Sequence, residues 1–163
     1  MKHLKKVTSV LLTIILLSSS FTMSVLAAEE APIAELEVTV TPMFDSISNA
    51  GVGMRSTTFI DTSISVGYDA EGMHVAIYTD LNGVASVVGA KDIKIQKKGL
   101  FGIWTTIATS EGGEATNSTG CVLRFTYPDV ELGETYRVTC IHYGEVDEYR
   151  ELYHETVGFT CAY

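Results

Sequence analysis

The chain predicts an all-β sandwich, on three observations. Seven short runs between Phe59 and Cys161 alternate apolar and polar residues with a period of two. Turn residues interrupt them every eight to fifteen residues or so, the spacing of a sandwich built from short strands. No stretch carries a helical period, so neither a helical layer nor a βαβ unit is expected.

In chain order, the first 27 residues are set apart by their pattern. Lys2, Lys5 and Lys6 precede an apolar run, Val7 to Leu17, and small residues follow up to Val25-Leu26-Ala27-Ala28. This is the layout of a secretory signal peptide, residues 1–27, with cleavage expected after Ala27 and Ala28 as the next site. The apolar run is too short for ~30 Å of hydrocarbon, so no membrane insertion is expected after cleavage. The expected product is soluble, secreted and extracellular.

Cleavage leaves 136 of 163 residues and removes three of eleven basic residues but none of twenty acidic ones, for a net charge of −12. That charge argues against nucleic acid, whose binding needs a positive surface to displace counterions. It equally disfavours adsorption to anionic lipid.

Residues 28–58 read as a flexible N-terminal arm, either disordered or contributing one strand. Glu35 to Thr41 alternates and stops at Pro42, whereas Ser46 to Thr58 is Ser, Gly, Asn and Thr in loop proportions. The sandwich is expected over 59–163. Its first run, Ile60 to Tyr68, ends at Asp69-Ala70-Glu71-Gly72, and Met73, Val75 and Ile77 form the second. Val84 to Gly89 looks irregular. Ile93 and Ile95 make a third inward pair, and Ile103 to Ala108 a fourth run around Trp104. Ser110 to Gly120 reads as a polar loop. Cys121 to Tyr127, then Tyr136 to Tyr143, then Glu151 to Cys161 complete the seven.

Three places carry a resemblance to the fibronectin type III-like, Ig-like β-sandwich. They are Ile93-x-Ile95, the single Trp104 after the next turn, and Val130-x-Leu132-Gly133-x-x-Tyr136-x-Val138-x-Cys140. The resemblance implies that Tyr136 is a corner tyrosine, placed by Gly133 and followed by inward Val138, whose hydroxyl bonds the backbone of the corner. Two features depart from the family: the second strand lacks the usual tryptophan, and Val138 stands where an antibody-type cysteine would be. Small exported Ig-like proteins of bacteria are the group most similar in these respects. Such sandwiches serve many roles, so the fold does not name a ligand.

Candidate chemistry is sparse. There is no Gly-x-Ser-x-Gly elbow, no His-Glu-x-x-His and no phosphate-cradling loop. His142 and His154 are expected on paired strands, near one another. His74 is expected on the other sheet, so no metal site follows, and no cofactor or enzymatic activity is expected. Asn117-Ser118-Thr119 matches a glycosylation sequon that a bacterial export route would leave unmodified. Lys91, Lys94, Lys97 and Lys98 read as edge protection. Cys121 and Cys140 share a level in the core and are the pair a disulfide would join. Facing sheets ~10 Å apart exceed the ~7 Å reach of a disulfide, so free thiols are expected.

The last hairpin is the more informative surface. Tyr143, Tyr149 and Tyr153 are interleaved with Glu145, Asp147, Glu148, Glu151 and Glu155. Tyrosines supply contact area at low entropy cost. The chain is therefore expected to be a secreted, non-catalytic binding or structural module that recognises an extracellular protein or cell-surface component. The alternative is a carbohydrate-binding module using these tyrosines or Trp104, and the second alternative is a small hydrolase or metal-binding protein using His142, His154 and nearby carboxylates. The export reading is checked by the intact mass of secreted protein, which should show a new N-terminus at Ala28; a full-length, membrane-held species would contradict it.

Overall fold

The computed structural model describes residues 32–44 and 57–162. The signal-peptide reading and residues 45–56 of the arm lie outside the described residues. What is described is all-β: β1 (Ala34–Glu35), β2 (Thr39–Met43), β3 (Phe59–Asp69), β4 (Gly72–Lys98), β5 (Trp104–Tyr127), β6 (Thr135–Glu145), β7 (Tyr149–Glu155) and β8 (Phe159–Thr160). A single 3-10 turn, Leu100–Gly102, joins β4 to β5.

Each of the seven runs read from Phe59 onward contains strand, but the boundaries differ and the middle runs join into longer elements. β4 takes in the second and third runs, and β5 the fourth and fifth. The two pair antiparallel from Met73↔Tyr127 to Lys98↔Trp104. Different partners flank each half. The first half of β4 carries β3 on its free edge (Ile64↔Ile77), and the second half carries β6 (Ile95↔Val138). β5 carries β2 along one half (Val40↔Leu123) and β1 along the other (Ala34↔Ala108). One leaf is therefore β3–β4–β5–β2 and the other β1–β5–β4–β6–β7, with β4 and β5 running through both.

The register breaks between Asp80↔Gly120 and Ala85↔Ser118, where β4 holds more residues than β5. An unequal count of this kind bends a strand and raises its twist, which lets one hydrogen-bonded sheet fold over its own inward face. Met73, Val75, Ile77, Leu123 and Phe125 from the first leaf form a single buried cluster with Ile93, Ile95, Val138 and Cys140 from the second.

Two expectations are corrected here. Val84 to Gly89 and Ser110 to Gly120 are strand, paired through Ala85↔Ser118, Val87↔Thr116 and Ala90↔Gly113. The loop-like composition reflects close approach of backbones. A Cβ at Gly112 would run into the Ala90 carbonyl oxygen, and one at Gly120 into the Thr79 carbonyl oxygen. The lysines also need another explanation than edge protection, because β4 lies between β5 and its β3 or β6 neighbour.

The last run divides. β7 pairs with β6 as far as Thr139↔Glu155, and β8 then meets the start of β6 at Tyr136↔Phe159. In the arm, Leu36 is buried, and the Ser118 and Thr119 hydroxyls both donate to the Met43 carbonyl, at 2.6 and 3.0 Å.

Gly133, at φ 83°, turns the chain into β6. The Glu131 amide donates to the Tyr136 hydroxyl at 2.9 Å, and Tyr136 is fully buried beside Phe159. This is the bond expected of a corner tyrosine. Cys161 closes the same corner: its carbonyl accepts from the Gly133 amide at 2.7 Å and its own amide donates to Glu134 O at 3.1 Å. Tyr136→Phe keeps the ring but leaves the Glu131 amide without that acceptor, so it should cost on the order of 1–2 kcal/mol. An unchanged denaturation midpoint would show that the hydroxyl bond contributes nothing.

Candidate functional site

Strand parity decides which side chains share a surface. On β6, Tyr136, Val138, Cys140 and His142 point into the core, so Arg137, Thr139, Ile141, Tyr143 and Glu145 point out. Cross-strand partners lie on the same side. Tyr149, Glu151, Tyr153 and Glu155 of β7 therefore stand outward opposite Glu145, Tyr143, Ile141 and Thr139. On β4 the outward row is Gly89, Lys91, Lys94, Gln96 and Lys98. On β5 it includes Trp104, opposite Lys98, and Glu114, opposite Gly89. Trp104, Tyr143, Tyr149 and Tyr153 thus lie on one face. The last hairpin and the Trp104 sheet are the same surface.

A polar network holds that face. Tyr143 lies across Gly89, where a Cβ would meet its hydroxyl oxygen at 2.7 Å, and donates to Glu114 Oε2 at 2.9 Å. Burial and then the Glu114 carboxylate raise the Tyr143 pKa. Tyr149 packs beside it, ring centroids 6.0 Å apart. The Lys91 ammonium sits 5.6 and 5.7 Å from these two ring centroids and donates to Tyr149 Oη at 3.2 Å and to Glu151 Oε1 at 2.5 Å. Those bonds, Glu151 first and Tyr149 second, push Lys91 up to about 12, and Lys91 holds Glu151 below the usual carboxylate range.

A second group lies further along the face. Tyr153 donates to Glu155 Oε2 at 2.9 Å, and Arg137 Nη1 donates to the same oxygen at 3.1 Å. Arg137 Nε donates to Gln96 Oε1 at 2.7 Å, and the guanidinium carbon lies 4.6 Å from the Trp104 ring centroid. Glu114, Glu151 and Glu155 are thus each paired with a cation or a hydroxyl. Lys91, Gln96, Glu114 and Arg137 hold the rings. Charge counting alone missed them, but outward parity on adjacent strands would have found them.

One expected residue lies at the margin of this face and one beyond it. Glu145 is at the end of β6, where its carboxylate and carbonyl accept from the Ser86 hydroxyl. Asp147 is in the β6–β7 turn, and its amide, with those of Val146 and Glu148, donates to Thr57 Oγ1 at 3.0 to 3.3 Å. Thr57 is buried and donates in turn to Glu148 O, so an arm residue organises the hairpin tip.

Beneath the face is a buried polar cluster. Thr79 Oγ1 donates to Gly89 O at 3.3 Å and lies 2.8 Å from His142 Nδ1. His142 Nε2 lies 3.2 Å from His154 Nδ1 and 3.5 Å from Cys140 Sγ. The two histidines meet as their paired strands require. His74 is on the other leaf, bonded to Asp69 at 2.9 Å and Thr126 at 3.0 Å. Among the described residues no group of three or more His, Cys, Asp and Glu is placed to hold a metal ion. Cys121, Cys140 and Cys161 are buried free thiols, and burial pushes the first two up to about 12.

Comparison of the chain with protein-family models, curated proteins and solved structures finds no match in any of the three.

Burial, and then the proximity of His154, lowers His142 from 6.5 to about 4. A depressed histidine is neutral in the folded state while the unfolded chain gains a proton near pH 6.5. Its contribution is therefore complete above that pH and lost as pH falls toward 4, by on the order of 3 kcal/mol. The urea midpoint should be level above pH 7 and decline from about pH 6.5, ahead of the carboxylates, and His142→Asn should remove that early decline. A wild-type midpoint level down to pH 5 would mean that His142 is not held neutral.

Proposed function

We propose that the protein is a secreted, non-catalytic binding module of the fibronectin type III-like, Ig-like class. Its ligand in this reading is an extracellular protein or cell-surface component, engaged by the outward face of β7, β6, β4 and β5. One observation carries it: Trp104, Tyr143, Tyr149 and Tyr153 lie on one face, with the tyrosine hydroxyls tied down by Glu114, Lys91, Glu151 and Glu155. Rings fixed before contact lose little entropy on binding. The class assignment is supported by the pairing order. β3, the first half of β4 and the second half of β5 take the A–B–E places, and the second half of β4, β6 and β7 take C–F–G. The Tyr136 corner supports it too.

A carbohydrate ligand is the second reading. The face's carboxylates already have partners, so it presents rings and hydroxyls with little uncompensated charge, which suits a neutral sugar chain.

Tyr149→Ala with Tyr153→Ala should abolish binding with an unchanged denaturation midpoint, because contact energy concentrates in aromatic anchors. A glycan array and a salt series separate the two readings: affinity for a charged protein partner falls as salt rises, and affinity for a neutral glycan does not. A ligand bound normally by the double variant would place the site elsewhere.

A further inference from the structure

The end of the molecule where β4 turns into β5 carries an apolar tip. Leu100 is 84%, Phe101 98% and Ile103 64% exposed, and in the neighbouring β7–β8 connection Val157 is 89% exposed. The turn does not shield them. Phe101 stands at φ 62°, a left-handed conformation costly for a bulky residue. Local strain of this kind is retained where a segment has a task.

The side chains behind the tip are layered. Trp104 follows directly, its ring against Gly158. The Lys98 ammonium lies 5.9 Å and the Arg137 guanidinium carbon 4.6 Å from the ring centroid. Lys97, at the same level, is paired with Glu131 at 2.8 Å. Beyond them the polar face begins. Apolar tip, then tryptophan with lysine and arginine, then polar surface is the order in which a bilayer presents acyl chains, interfacial zone and water.

We propose that the β4–β5 tip docks the exported protein on a lipid surface, with Leu100, Phe101 and Ile103 entering the acyl boundary and Trp104, Lys98 and Arg137 at headgroup level. This is peripheral docking and leaves the expectation of no membrane-spanning segment intact. The net charge of −12 expected after cleavage disfavours broad adsorption. At physiological salt, however, carboxylates more than about 8 Å from the contact are screened, and Glu131 and Glu134, at the level of Trp104, are paired with Lys97. Docking shares Trp104 and Arg137 with the margin of the ligand face proposed above, but does not use its tyrosines, which lie further along the same leaf.

Trp104 is the only tryptophan and reports the contact directly. With mixed phosphatidylcholine/phosphatidylglycerol vesicles, the processed protein should sediment with lipid and its emission should shift to the blue. Leu100→Ser with Phe101→Ser should weaken partitioning at least about tenfold. Both sites are exposed, so the denaturation midpoint should hold. Tyr149→Ala with Tyr153→Ala should bind vesicles as wild type does. Unchanged emission with protein left in the supernatant would overturn docking. So would a tip variant that binds vesicles normally, or one that loses self-association while neither protein binds lipid.

Discussion

The antiparallel ladder between β4 and β5 is the constraint on which the rest of the structure depends. It runs from Met73↔Tyr127 through both leaves to Lys98↔Trp104, so the leaves share a backbone rather than meeting only through side chains. A strand that continues from one leaf to the other must bend without losing its hydrogen bonds. Uneven residue counts near Asp80–Ala85 supply the bend, and glycines supply room for the backbones to approach. Gly120 illustrates this: a Cβ there would stand 3.1 Å from Asp80 Cα. With the bend set, Leu81 reaches across to Gly144 and the inward rows of both leaves fill one core.

The same ladder composes the outward face. β4 is central in the second leaf, so its lysine and glutamine are flanked by β6 on one side and β5 on the other. Rings can then be reached by a partner two strands away: Tyr149 by Lys91 across β6, and Trp104 by Arg137 across β4. These ion pairs are largely exposed and add little to stability. Their consequence is orientation. Lys91 touches two tyrosines and a glutamate at once, and Glu155 accepts from Tyr153 and Arg137 at one oxygen, so the rings are held as groups.

All-β character, the strand runs and the Tyr136 corner were legible because alternation and a glycine–tyrosine spacing are local signals. Strand continuity was not. Ser110 to Gly120 has the composition of a loop, and only its partner across the ladder makes it strand; no property of the segment alone records Ala85 or Val87 opposite. The tyrosines could be singled out from composition, but their sharing a face with Trp104 depends on parity carried across three strand pairings. The lysines were misread for a related reason. Edge and centre look alike along one strand, and the difference is set by where β6 returns.

Gly89 shows how closely the core and the face are coupled. Its carbonyl receives the Thr79 hydroxyl, which anchors His142 in the core, while its bare Cα gives the Tyr143 ring space to cross toward Glu114 on the outside. A side chain at this position would press on the Gly113 carbonyl and on the Tyr143 ring together. Moving Tyr143 would disturb Tyr149, which packs against it, and Lys91, which lies over both rings. Moving the backbone would instead shift the carbonyl that accepts from the Thr79 hydroxyl, which lies against His142. The geometry of the outward rings and the anchoring of the buried imidazole therefore meet at one glycine in the shared strand.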